Sequence, residues 1–184
     1  MESPIQIQPA PFTVASSMSQ SEPAPQITTD VATALGRIAS GLFVISWREE
    51  SFDRAMLASW VMQAAFDPPA ISVALAKSRG LAAAVARDCP FVVNVLGETQ
   101  RGLVGRFGKP AAPGDDPFSG LEVVRTPHGV AALATATAWL ECLPAAPLVE
   151  WSGDHAILLG RVTAAAAAAD SPPLVHLRRN GLRY

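Results

Sequence analysis

Four apolar runs limit what this chain can fold into. LFVISW (42–47), ISVALA (71–76) and FVVNVL (91–96) are rich in β-forming residues and stop at glycine, proline or charged residues. HAILLGRVTA (155–164) follows the turn signal Ser152-Gly153-Asp154. Runs of this length and composition read as strands with a buried face. REESFDR (48–54) reads as a hairpin turn. AMLASWVMQAAF (55–66) fits strand or helix by period alone, and Asp67-Pro68-Pro69 stops it. LEVV (121–124) is a short strand, and ATAWLECLPAAPLVEW (136–151) reads as a long one.

Helical signals are short. Asp30 can cap VATALGRIAS (31–40), which Gly41 ends, and Ser78 can cap RGLAAAVARD (79–88). ETQRGLVGRFG (98–108) is a helix weakened by glycines, and KPAAPGDDPFSG (109–120) is a loop. The six alanines at 164–169 favour helix locally or form a bland strand exit. Six or seven strands with two intervening helices predict a mainly β fold with short helices, a β-barrel with helical additions.

Length and composition suit one domain, expected over 28–184, with a flexible tail over 1–27. The tail holds Pro4, Pro9, Pro11, Pro23 and Pro25 among Ser and Gln residues. Such a segment buries too little apolar area to offset chain entropy, although Ile5, Ile7, Phe12 and Val14 could lie on the body. Hydrophobic residues make up 49% and charged residues only 16%, so some apolar surface is expected to meet another copy or a ligand. With 14 basic and 16 acidic residues, no basic excess exists to neutralise nucleic-acid phosphates. The apolar stretch from Ala131 to Trp151 contains Glu141, Pro144 and Pro147, which argues against a membrane span. The first basic residue is Arg37, so no secretory n-region is read. Cys89 and Cys142 form no framework, which makes a cytoplasmic setting the expectation and both thiols small buried hydrophobes.

Side-chain chemistry is sparse. Gly102, Gly105 and Gly108 lack the spacing of a dinucleotide fingerprint, and His128, His155 and His176 lack metal-ligand spacing. No carboxylate pair is marked out for hydrolysis. A chain of this kind suits a cofactor that carries the chemistry.

AMLASWVMQAAFDPP (55–69), followed in order by FVVNVL (91–96), PGDDPFSGL (113–121), WLEC (139–142), GDH (153–155) and PLVHLRRNGLRY (173–184), resembles the flavin reductase-like, FMN-binding split-barrel family. The resemblance runs over about residues 30–184. It is especially similar to the flavin reductase module at the C-terminus of cyanobacterial flavodiiron proteins, here standing alone. It implies an FMN-binding split β-barrel that forms a homodimer with the flavin near the subunit interface. It implies hydride transfer from NADH or NADPH to a flavin, FMN or FAD, and onward delivery to oxygen, free flavin or a protein acceptor.

The resemblance also implies a site. Leu57, Ala58, Ser59, Trp60, Gln63, Ala64, Ala76, Lys77, Ser78, Arg79 and Tyr184 are the expected flavin contacts, and His155 of the GDH turn the expected nicotinamide- or flavin-contacting residue. Ala58 and Ser59 leave room for backbone donors to approach phosphate, Gln63 can bond the ring edge, and Ala64 and Ala65 let the ring lie close. Lys77-Ser78-Arg79 supplies two charges and a hydroxyl beside a helix start. Plain alternatives stand beside these roles. Ser59 could be a buried strand serine, Trp60 a core or interface residue, Lys77 and Arg79 a solvated face, His155 a turn residue, and Asn94 a tie between strands. His176, Arg178 and Arg179 fall at the C-terminal end, which packs near the flavin in relatives. Relatives often carry Ser or Thr where Met62, Gln63 and Ala65 stand here. Two other readings remain open: an electron-transfer module fed by another protein, and a non-catalytic flavin-binding interaction domain.

Overall fold

A computed structural model describes residues 28–112, 114–150, 153–168 and 171–178. Helix α1 (Thr29–Gly36) leads into β1 (Ser40–Gly41), then the hairpin β2 (Phe43–Glu49) and β3 (Phe52–Ala58), then the hairpin β4 (Val61–Phe66) and β5 (Pro69–Ala76). Helix α2 (Gly80–Val85) and β6 (Phe91–Val95) follow, then a 3-10 turn (Glu98–Gln100) and α3 (Gly102–Phe107). The remaining strands are β7 (Val123–Arg125), β8 (Ala131–Leu133), β9 (Ala138–Pro144), β10 (Val149–Glu150), β11 (His155–Ala167) and β12 (Val175–His176).

Seven strands form one antiparallel sheet in the order β3-β2-β6-β9-β11-β5-β4, with β10 added on β11. Its two edge strands, β3 and β4, are consecutive in the chain and separated only by Ser59 and Trp60. That link spans at most roughly 11 Å, so the sheet must curl until its edges meet. No ladder joins β3 to β4, which leaves a barrel split at that seam.

Ile45 and Trp47 of β2, Met56 of β3, Val73 and Leu75 of β5, Phe91 and Val93 of β6, and Leu158 of β11 fill the interior, which Leu81, Ala84 and Val85 of α2 close. Residues of alternate parity on β2 face outwards, and Val44 joins Leu96, Phe107, Phe118, Leu133 and Leu174 in a second cluster. Both faces of β2 are therefore covered, which accounts for its near-continuous apolar run. At Gly160 a Cβ would sit 2.5 Å from the Phe91 ring, so the crossing of β11 over the core excludes a side chain there.

Buried polar side chains fasten the layers. Asn94 Nδ2 donates to Val44 O at 2.9 Å, and its Oδ1 accepts from Leu133 N at 2.7 Å, which ties β6 to β2 and β8. Ser46 Oγ donates to Ala131 O. Glu141, fully buried on β9, accepts from His128 N at 3.0 Å and lies 2.8 Å from His128 Nδ1 and 3.4 Å from Thr163 Oγ1. Burial acts to raise this carboxyl, but hydrogen bonds from Thr126 and His128 outweigh it and hold it below the ordinary carboxylate value. Burial, with the Glu141 charge beside it, pushes the Cys142 thiol up to about 12, so this cysteine is an inert hydrophobe as expected.

Several boundaries differ from the sequence reading. Thr28, not Asp30, caps α1 through Thr28 Oγ1, and the helix ends at Gly36. The hairpin turn after β2 is only Glu50-Ser51, with Glu50 at φ 52. The 55–66 run is two strands broken at Ser59-Trp60. Helix α2 begins at Gly80, and Ser78 makes no cap: Arg79 is the cap residue and no side chain bonds the first turn. The 136–151 run breaks after Pro144. The alanines continue β11 to Ala167 because their backbone pairs with β9, and those ladder bonds override helix propensity. Strand β8, missed in the sequence, is the buried, inner partner of β7. The expected tail over 1–27 lies outside the described residues.

Glu141→Gln is expected to lower the unfolding free energy at pH 7 by about 1–3 kcal/mol, because an amide donor then faces the donors that a carboxylate satisfied. The folded carboxyl lies below its ordinary value of 4.5, so its stabilisation is complete above that pH and is lost as pH falls through the lower folded value. Urea unfolding across pH should therefore show the gap between parent and variant closing only on the acid side.

Candidate functional site

A cavity of about 620 Å³ opens where β3, the β5–α2 loop, Pro110, Ala111 and Pro117, and the start of β11 converge. Topology brings these segments together. The antiparallel register sets His155 directly opposite Ala76, and Lys77 N donates to Asp154 O at 2.9 Å, closing the β5–α2 loop against the turn before β11. Trp47, Ala55, Met56, Ala76, Pro110, Ala111 and Pro117 supply an apolar lining. Arg54, Ser78, Arg79, Asp53, Asp154 and His155 supply its polar groups.

The charges on this lining are unevenly matched. Arg125 grips Asp53 with two bonds of 2.6 and 2.7 Å, which pins β7 to β3 and raises the guanidinium pKa, chiefly through that hydrogen bond. Arg54 Nε lies 3.2 Å from Glu49 Oε2. His155 Nδ1 lies 2.8 Å from Asp154 Oδ1, and this hydrogen bond is the main reason the exposed Asp154 carboxyl sits below its ordinary value. Arg79 forms no ion pair among the described residues. The lining can therefore receive an anion at Arg79 and a flat apolar group against its walls.

A second cluster sits on the seam and shares His155. Ser59, 4% exposed, accepts a hydrogen bond from Arg178 Nη2. The Arg178 guanidinium lies 4.6 Å from the Trp60 ring centre, and Trp60 lies 4.9 Å from the His155 ring at 51°. The C-terminal segment thus crosses the Ser59-Trp60 break after β12 has paired with β1.

Of the expected site residues, Ala76, Ser78, Arg79 and His155 line the cavity together. Ser59 and Trp60 join it through His155 on the seam. Lys77 is exposed, with Nζ 3.1 Å from Glu150 Oε2. Ala58 is buried in the barrel interior, and Leu57 packs against the outer cluster. Gln63 and Ala64 are exposed on edge strand β4 and do not line the cavity. Tyr184 and Arg179 lie outside the described residues. The helix start expected as an anion site amounts to a six-residue helix without a side-chain cap, which leaves anion attraction to the side chains. Trp47, Asp53, Arg54, Met56, Pro110, Ala111, Pro117 and Asp154 were not anticipated. Met56, Pro117 and Asp154 lay inside motifs that carried the resemblance, and Arg54 lies two residues from Met56 on one face of β3.

The Ser59–Arg178 bond is expected to couple the seam to the C-terminal segment. A double-mutant cycle of Ser59→Ala and Arg178→Gln, read by urea unfolding, should return a coupling of about 1–2 kcal/mol. Additive effects would show that the two side chains stabilise the fold independently.

Comparison with known proteins agrees with this architecture. A family model described as flavin reductase like domain matches residues 35–182. Diflavin flavoprotein A 1 of Synechocystis is 38% identical over 160 residues, which are 86% of this chain and 28% of that protein. The chain spans about a quarter of the length of the curated relatives it matches. Among solved structures, an NADH:FAD oxidoreductase of Streptomyces globisporus superposes with a TM-score of 0.72 at 26% identity, over 82% of this chain and 87% of that one. The styrene monooxygenase flavin reductase of Pseudomonas putida superposes with a TM-score of 0.68 at 27% identity, over 80% of this chain and 91% of that one. The split barrel of antiparallel strands and the matched residues agree: this chain belongs to the flavin reductase-like family.

Proposed function

We propose that the chain binds FMN in the 620 Å³ cavity and takes part in hydride transfer from NADH or NADPH to that flavin. The observation that carries the reading is the pairing of an apolar lining with Arg79, a cation without an ion-pair partner among the described residues, at the mouth of one cavity. The volume lies in the range of sites that bury a small organic ligand. The residues present fit a flavin nucleotide. Ser78 and Arg79 would hold its phosphate, and Ala76, with no side chain beyond Cβ, would let the ring system lie against the strand. When bound, the flavin accepts the hydride, so the protein needs no general base for that step.

The chain's own part is placement. His155, held at Nδ1 by Asp154 and packed on Trp60, would orient the nicotinamide at the cavity mouth. Pro110, Ala111 and Pro117, on the lining, would exclude water. Similarity to an NADH:FAD oxidoreductase supports the use of a nicotinamide donor and keeps FAD as the alternative flavin. Met62 and Phe66 on β4 are 72% and 90% exposed, which favours a homodimer in which β4 is covered and Gln63 and Ala64 approach a shared site. A second reading has one observation behind it. The relatives are far longer proteins, which favours a module that passes electrons to a partner domain or protein.

Titration of the protein with FMN and FAD, followed by flavin fluorescence, should show saturable binding at micromolar flavin, tighter for FMN. Stopped-flow bleaching with NADH and with NADPH should show reduction of the bound flavin. His155→Ala should slow that bleaching at least several-fold while FMN affinity changes much less. Flavin binding without reduction by either nucleotide would give the second reading, and absence of flavin binding would remove both.

A further inference from the structure

Resting on the flavin reading above, we propose that the Trp47 indole N–H is a ligand donor of this chain, directed to a phosphoryl oxygen of the bound nucleotide. Trp47 is 5% exposed, lines the cavity, and its Nε1 is a buried donor with no hydrogen-bond partner among the described residues. Buried donors are almost always paired, and leaving one unmet opposes folding, so an orphan at a ligand cavity points to an acceptor that arrives with the ligand.

The position of the ring supports this. On β2, Trp47 stands opposite Arg54 of β3 in the ladder, so the two side chains leave the same face of the sheet side by side. Trp47 Cζ2 lies 3.3 Å from where a Cβ on Gly80 would stand. Cζ2 and Nε1 are bonded to the same ring carbon, so the edge that carries the N–H is the edge facing Gly80. Gly80, itself on the cavity lining, follows Ser78 and Arg79 directly, so the indole edge borders the turn that carries those two side chains. The acceptor expected among Arg79, Ser78 and Arg54 is an anionic oxygen. The carboxylates on the same lining are already engaged, Asp53 by Arg125 and Asp154 by His155.

The test compares Trp47→Phe with the parent in titrations with FMN and with riboflavin, which differ only in the phosphate. The variant should bind FMN about tenfold more weakly, a ~1.4 kcal/mol loss, with riboflavin affinity within about twofold of the parent. Independently of any variant at 47, the protein labelled with ¹⁵N-tryptophan should show one indole N–H resonance that shifts downfield with FMN and not with riboflavin. Its assignment to Trp47 follows by elimination, from Trp→Phe variants at 60, 139 and 151. Equal loss of both ligands, no loss of either, or an unshifted Trp47 resonance in the FMN-saturated protein overturns the proposal while leaving flavin binding intact. Failure of the parent to bind either flavin overturns the flavin reading itself.

Discussion

The two-residue link between β3 and β4 is the constraint on which the rest depends. An extended seven-strand sheet would separate its edge strands by several strand spacings of about 4.8 Å each, far beyond the reach of Ser59-Trp60. Curling is therefore imposed by connectivity, and the interior it creates must be filled. Trp47, Phe91, Leu75 and Leu158 fill it from the strands, and α2 closes it. No ladder joins β3 to β4, so the seam stays split. The polar side chains and aromatic rings that cross the seam replace hydrogen bonds between strands: Arg178 on Ser59, Trp60 between Arg178 and His155.

The outer layer is held by a different device. β7 and β8 form a two-stranded ribbon apart from the main sheet, so backbone pairing cannot position it. Side chains do so instead. Asn94 reaches Leu133 from β6, Ser46 reaches Ala131 from β2, and Glu141 takes the His128 end of the hairpin. Each is a buried polar group satisfied by backbone of another layer, which makes the register of the ribbon specific where apolar contact alone would allow it to slide. Asp53 and Arg125 add a charged pair at the same hairpin end, beside the cavity.

The strands were legible because their residues alternate or run apolar between clear stops, as in LFVISW, ISVALA and FVVNVL. The interior role of Cys142 and the tying role of Asn94 were legible for the same reason: a small thiol and a lone amide within β runs have few other places to go. Helix starts were misread because Asp30 and Ser78 have cap chemistry but stand one or two residues from where the backbone turns. β8 was missed because AAL has no period of its own. At the site, Ala76, Ser78, Arg79 and His155 came from contiguous motifs. Trp47 and Pro110 could not, because only the curl of the barrel brings β2 and Pro110 to the same cavity. Gln63 and Ala64 were read as ring contacts, and the break at Ser59-Trp60 places them on exposed edge strand β4, outside this cavity.

The chain as a whole carries a net charge of -2, yet its cavity lining leaves one cation without an ion pair among the described residues. The difference lies in pairing. Of the acids on the lining, Asp53 is matched by an arginine that does not itself line the cavity, and Asp154 is turned to His155. Of the cations, Arg54 is shared with Glu49, which also meets Arg87, while Arg79 is left without an ion pair among the described residues. A phosphate at Arg79 would meet one unmatched positive charge in a partly enclosed, low-dielectric setting, where Coulomb attraction is stronger than at an exposed lysine. Lys77, one of the two cations in the Lys77-Ser78-Arg79 motif, is exposed and engaged with Glu150, so bulk solvent screens it. The motif thus divides its labour by geometry: Arg79 faces the cavity, and Lys77 helps to hold β10 against the loop that shapes it.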